Sequence, residues 1–265
     1  MIDRGVAAIL IGAGALVACG GQERDQGAAA PSARPDPGRA PGGPVLRWRM
    51  TGGFAGLGGP GSLPEFSLYG DGRAIASART GSAAPLPVLR EYRLTAQALR
   101  RLLDEARAAG LDRPRTIGSG RVADAMILEI SMGAARTRIE QPEGQPGLPA
   151  VRFWKRLDPQ GWPRADQAAP PRHHRSARVA VLAGESPAAP GQDVSDWPLN
   201  RPLGRGEQAA GGLCSVVAGE DRDTAVKHVA TAGTDHRWRS GGRVYSVRLR
   251  PMLPEERTCR DVART

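Results

Sequence analysis

Lysine is almost absent from this 265-residue chain: of 37 basic residues, all but Lys155 and Lys227 are Arg. The bias, together with abundant Ala, Gly and Pro, is that of a GC-rich coding sequence. Long apolar runs are missing too. The longest, from Val6 to Ala18, falls short of the roughly 20 residues that a bilayer-spanning helix needs. No run of five or more basic residues occurs, and the formal charge of +10 is spread along the chain. That excludes the concentrated basic footprint of a nucleic-acid binder. Also lacking are a Gly-x-Ser-x-Gly elbow, a Ser-x-x-Lys pair, a His-Glu-x-x-His helix and a Gly-x-x-x-x-Gly-Lys loop, so the commonest hydrolase, zinc and phosphate-binding signatures are excluded. Neither a cofactor nor a metal set is expected.

Against these absences, the sequence Leu16-Val17-Ala18-Cys19 stands at the end of the short apolar run. It resembles the lipobox of bacterial lipoproteins, which implies cleavage before Cys19 and attachment of acyl chains such as palmitate to that residue. Small residues on both sides (Ala18, Gly20, Gly21) and the length of the apolar segment fit a signal peptide over residues 1–18. Residues 19–44 are dominated by Gly, Ala and Pro, lack aromatic residues after Cys19 and balance three acids against three Arg. They cannot bury enough apolar surface to fold and are expected to form a tether. The resulting expectation is an extracytoplasmic protein, lipid-anchored to the outer face of the bacterial cell membrane.

With Cys19 assigned to the lipid, Cys214 and Cys259 remain as an even pair in a compartment where disulfides persist. Neither has a CxxC partner or a neighbouring His, so a structural disulfide is expected rather than a metal or redox pair.

The remainder divides into an α+β domain over 45–157, a linker over 158–177 and a smaller α+β domain over 178–265. Leu46, Trp48 and Met50 alternate with Arg47 and Arg49, the period-2 pattern of a strand with one buried face. Strands over 65–69 and 73–77 flank Gly70-Asp71-Gly72, where Asp-Gly favours a hairpin, and another runs over 88–94. Thr95 is a good N-cap for a helix whose Leu99, Leu102, Leu103 and Ala106 share one face and which Gly110 ends. A hairpin over 126–139 and a helix over 149–157 complete an antiparallel sheet with two helices. In 158–177, Asp158-Pro159, Trp162-Pro163 and Pro170-Pro171 break regular structure. His173 and His174 there are adjacent and point apart, so they cannot chelate alone and read as solvated linker residues. Beyond, strands over 178–183, 213–218 and 245–249 surround a helix over 221–232, and the disulfide would staple the C-terminal tail to this second sheet.

Chemistry is harder to find. His228 and His236 are the histidines in regions expected to fold, with Asp221, Asp223 and Asp235 nearby. A hydrolase would recruit one of them as base, but His228 falls off the apolar stripe of its helix. Asp71, Asp124 and Glu129 read as surface charges, and Gly58-Gly59-Pro60-Gly61 lacks the Lys and helix start of a phosphate loop.

The candidate binding loop is Gly52-Gly53-Phe54-Ala55-Gly56. Here the chain resembles the emfourin-like metalloprotease inhibitors, in which a first strand enters a Gly-Gly-Phe-Ala-Gly stretch followed by a sheet and helices of similar layout. The resemblance covers at most residues 45–157, and residues 57–61 depart from it. It implies an α+β scaffold and, through Phe54, a protein partner such as a secreted protease. Phe54 acting instead as a plug in the core is the alternative. The lipobox, the tether and the tail Arg250-Pro251-Met252-Leu253-Pro254-Glu255-Glu256 with Cys259 resemble lipoproteins of high-GC actinobacteria.

Together these readings point to a membrane-anchored, non-catalytic protein-binding module rather than an enzyme. The alternatives are a cell-envelope hydrolase with a dispersed active site and a protein that adheres to anionic wall polymer through its arginines.

Overall fold

The chain enters its first sheet on alternation alone: Leu46, Trp48 and Met50 face the core and Arg47, Arg49 and Thr51 face away. The computed structural model describes residues 42–53, 58–77, 86–122, 124–233 and 235–264. The lipobox, including Cys19, lies outside these residues, as do Phe54, Ala55 and Gly56.

The first sheet contains β1 (Leu46–Gly52), β2 (Phe66–Leu68), β3 (Arg73–Ser77), β4 (Leu89–Leu94), β5 (Arg115–Ile117), β6 (Met126–Met132), β7 (Ala135–Glu140) and β8 (Gln167–His173). Their spatial order is β5-β7-β6-β1-β2-β3-β4-β8, antiparallel except for the parallel β5–β7 pair. Gly72, with φ +83°, closes the β2–β3 turn, where its N–H donates to the Tyr69 carbonyl. A Cβ at Gly72 would sit 2.8 Å from the Leu94 carbonyl oxygen, so glycine is required by crowding as well as by φ.

Helix α1 (Ala96–Ala108) starts where Thr95 Oγ1 accepts from the Ala98 N–H at 3.2 Å. It ends in a Schellman arrangement: Gly110 N–H donates to Arg107 O and Leu111 N–H to Ala106 O. Its Ala98, Leu102 and Ala106 pack with α2 (Pro149–Arg156) over one face of the sheet, against Leu46, Leu68, Leu128, Ile130 and Ile139.

The second sheet contains β9 (Arg178–Glu185), β10 (Val194–Asp196), β11 (Glu207–Ala209), β12 (Gly212–Ala218), β13 (Arg237–Ser240) and β14 (Arg243–Pro251), in the order β10-β13-β14-β9-β12-β11. Again one pair, β10–β13, is parallel. Strand β9 is buried on both faces. Val179, Val181 and Ala183 meet α3 (Gly219–Ala232) through Ala225 and Val229, while Ala180 and Leu182 meet α4 (Cys259–Arg264) through Cys259 and Val262. The protein is thus α+β, with two mixed, mostly antiparallel sheets and a disulfide between Cys214 on β12 and Cys259 on α4.

Residues 158–177 are not a linker. Turns of 3-10 helix at Pro159–Gly161 and Arg164–Asp166 lead into β8, which pairs with β4. Adjacent Pro170 and Pro171 cannot both face the open edge; they fall in the register shift between the Glu91–Arg172 and Arg93–Ala169 pairs, where the ladder to β4 is interrupted, and on an edge strand they discourage pairing with another chain. Nor is His174 solvated. Its side chain is 10% exposed, and its Nδ1 lies 2.9 Å from Glu91 Oε2. An ionised carboxylate only accepts, so Nδ1 carries the proton. Glu91 Oε1 accepts from Arg172 Nη2 at 2.6 Å. Burial pushes the Glu91 carboxyl up, but the bonds from His174 and Arg172 outweigh it and hold the group below its usual range. A carboxyl whose pKa is lowered by folding stabilises the fold above its unfolded value and loses that contribution as pH falls through the folded value. Thermal melts from pH 6 to 3 should therefore show a loss of stability below about pH 4.5, and Glu91→Gln should flatten that part of the profile.

The two sheets meet across the segment after β14. Leu253 packs with Tyr69, Ile75 and Leu89 on the face of the first sheet away from α1. Glu255 pairs with Arg47 and accepts from the Tyr69 hydroxyl at 2.7 Å. Burial, reinforced by the Glu255 charge, pushes the Tyr69 phenol far up, so it stays a donor. Arg250, 2% exposed, forms a two-pronged pair with Glu256 and donates through Nε to the Gly61 carbonyl at 3.1 Å.

Candidate functional site

At the end of β1 the backbone turns through two left-handed residues, Gly52 (φ +78°) and Gly53 (φ +72°). Gly53 N–H donates to Ala125 O at 3.1 Å, tying this turn to the approach to β6. The fit is close: a Cβ on Gly52 would lie 2.4 Å from Ala125 O, and one on Gly53 2.4 Å from Met126 Sδ. Both glycines are therefore dictated by backbone geometry. Gly52→Ala should destabilise the protein by about 1–3 kcal/mol, read as a lower urea midpoint, because φ and contact are both violated.

Beside this turn is an open groove of about 500 Å³ on the face of the first sheet away from α1 and α2. Thr116 of β5, Arg138 and Glu140 of β7 and Ile127 of β6 line its floor, and Val122 and Asp124 line its wall. Val122 is 42% exposed, unusual for a large apolar side chain here. Asp124 is held in the left-handed region (φ +57°), which Asp tolerates better than most residues. Glu140 accepts from the Gly120 N–H at 2.9 Å, fixing the wall to the floor. Glu129 lies between Arg49 Nε (2.7 Å) and Arg138 Nε (3.4 Å). Glu129 thus adjoins the groove through Arg138, which lines it together with Asp124, an arrangement that strand register creates and sequence spacing does not reveal. Asp71 is elsewhere, capping the β2–β3 turn by accepting from the Arg73 N–H.

The histidines considered as bases do not assemble a catalytic set. His228 is exposed on α3. His236 stacks edge-on against Trp238, with ring centroids 4.8 Å apart, and its Nε2 is buried without a hydrogen bond. The acid–histidine pair that folding does produce, Glu91–His174, braces the β8 edge. It could have been suspected from Glu91 alone, an acid on the same strand face as Leu89. Gly61 (φ +75°) lies against Leu182 and Ala210 and gives its carbonyl to Arg250, so this glycine belongs to a contact between the sheets. Among the described residues, no group of three or more His, Cys, Asp or Glu is placed to hold a metal, and no helix is long and apolar enough to cross a membrane.

Fold and site together define a two-sheet α+β protein with a glycine-cornered groove at one end of its larger sheet. Compared with protein-family models, curated proteins and solved structures, the chain matches none.

Proposed function

We propose that this is a lipoprotein held by Cys19 on the outer face of the bacterial cell membrane, and that it acts without catalysis as a protein-binding module. The observation that carries the reading is the groove beside Gly52 and Gly53, where an exposed Val122 adjoins charged and hydroxyl groups on a rigid sheet floor. Rigid backbone presenting a small apolar contact within a polar rim suits recognition of another protein. The resemblance of Gly52-Gly53-Phe54-Ala55-Gly56 to the emfourin-like inhibitors favours a secreted metalloprotease as the partner. Adhesion to wall polymer is less well supported, because Arg47, Arg49, Arg101, Arg172 and Arg250 are each matched to a carboxylate.

The test uses a panel of secreted bacterial metalloproteases, with inhibition and direct binding both measured. Wild type is expected to bind at least one of them saturably, and a Val122→Glu, Asp124→Asn double variant, whose Asn tolerates the left-handed backbone, to lose most of that affinity with an unchanged melting temperature. No binding by wild type, or equal binding by the double variant, would remove the reading. The anchor is tested separately: a Cys19→Ala chain should leave the membrane fraction.

A further inference from the structure

On the helix-covered side of the first sheet, opposite the groove, a second cavity of about 350 Å³ lies between α1 and the segment following α2. Its size is within the range of small-molecule sites, roughly 300–1,000 Å³. Leu94, Ala98 and Leu102, all buried core residues, form an apolar floor. One wall is the Trp162 indole, and it is held from three sides. Its Nε1 donates to the Arg156 carbonyl at 3.0 Å, and its ring meets Phe66 and Tyr92 edge-on, with centroids 5.9 and 6.1 Å away. A wall held this way loses little freedom when something packs on it.

Ion pairs account for every basic side chain at the mouth. Arg101 Nη2 donates to Asp166 Oδ1 at 2.6 Å, Arg156 Nη1 is 2.9 Å from Glu105 Oε2, and Lys155 Nζ is 3.9 Å from Glu143 Oε2. Three cations are set against three acids, and a fourth acid, Asp158, is left over. Its carboxylate accepts only from the Gln160 N–H, at 3.0 Å, and among the described residues no basic side chain comes within ion-pair distance of it. The unmatched charge of the cavity is therefore negative. Local folding sets it beside the aromatic wall, because Asp158 and Trp162 stand at the two ends of one turn of 3-10 helix, Pro159–Gly161. That turn is closed by the Gly161 N–H on Asp158 O at 3.1 Å and the Trp162 N–H on Pro159 O at 3.3 Å. Both residues line the cavity. A carboxylate next to an indole suits an organic cation, which is attracted by the charge of the one and the ring quadrupole of the other.

We infer that this cavity is a binding site for a small amphipathic cation, its ammonium group at Asp158 and Trp162 and its apolar body on Leu94, Ala98 and Leu102. Primary and quaternary ammonium compounds share this chemistry and differ in whether they donate a hydrogen bond to the carboxylate. Calorimetric titration of the full chain carrying Cys19→Ala, with 3-phenylpropylamine and separately with its N,N,N-trimethyl derivative, distinguishes the two. The neutral and charge-reversed controls are 3-phenylpropanol and 3-phenylpropionate.

Saturable binding of one or both cations is expected, tighter than that of the alcohol by about fivefold and tighter still than that of the acid. Asp158→Asn should weaken cation binding by about fivefold, the effect of one solvent-accessible charge. Asn retains the side-chain oxygen that accepts from the Gln160 N–H and is itself a good N-cap, so this variant keeps the fold, which a melting curve verifies. The comparison of amine, alcohol and acid on the unaltered cavity tests the charge preference without any substitution there. Absence of saturable binding by either cation, equal binding of the alcohol, or indifference to Asp158→Asn would each overturn the assignment.

Discussion

Glu256→Gln should destabilise this protein by about 3–5 kcal/mol, the range for breaking a buried ion pair by removing one charge. Both side chains of the Arg250–Glu256 pair are 2% exposed, so the stranded guanidinium would have no access to water. Its remaining partners are the carbonyls of Gly61, Pro251 and Ser62, at 3.1, 3.3 and 3.4 Å, which accept hydrogen bonds without supplying charge. Glu256 also accepts from the Leu253 N–H at 2.7 Å, so the same substitution loosens the segment that carries Leu253 and Glu255 to the first sheet. Urea unfolding should show a lower midpoint. The Arg250→Met, Glu256→Leu double variant should cost much less than Glu256→Gln, because no buried charge is left unpaired. If the single variant is as stable as wild type, the pair is not the buried connection between the sheets that its surroundings indicate.

Removal of the disulfide is the second large effect. Cys214 and Cys259 are 45 residues apart, and closing a loop of that length restricts the unfolded chain by about 4 kcal/mol on the entropy model. Cys214→Ala, Cys259→Ala should lower stability by roughly that amount, and a reductant should do the same to wild type but leave the variant unchanged. Both cysteines are buried against Ala180, Leu182 and Val262, so reduction should be slow in the native state. The damage should centre on α4, whose six residues are too few to be stable alone. Locally, α4 begins at a capping box: Asp261 Oδ2 accepts from the Thr258 N–H at 2.9 Å and the Arg257 N–H at 3.0 Å, and Thr258 Oγ1 accepts from the Asp261 N–H at 3.3 Å. Those bonds set where the helix begins, and the disulfide sets what it lies against.

Legibility in the sequence tracked how local the cause was. Thr95, Gly110 and Leu111 announce both ends of α1 because caps are made within a few residues. The β6–β7 hairpin and the β2–β3 turn follow from alternation broken by glycine. By contrast, β5 and β10 are three-residue strands held by parallel pairing to distant segments, too short to show a period of their own. At the groove, Gly52 and Gly53 could be singled out, while Thr116, Val122 and Arg138 could not, since nothing in their own neighbourhoods marks them.

What the sequence by itself determined is the α+β class, the main helices and strands, the pairing of Cys214 with Cys259 once Cys19 is set aside, and the glycine corner at Gly52 and Gly53. Only the tertiary structure decided that residues 167–173 form an edge strand, that His174 packs half-buried against Glu91 across 83 positions, and that Arg250 and Glu256 join the two sheets through Gly61. Period and capping are properties of neighbouring residues. Burial of a charge is settled by which strands pair and in what register, and that choice is made by the chain as a whole.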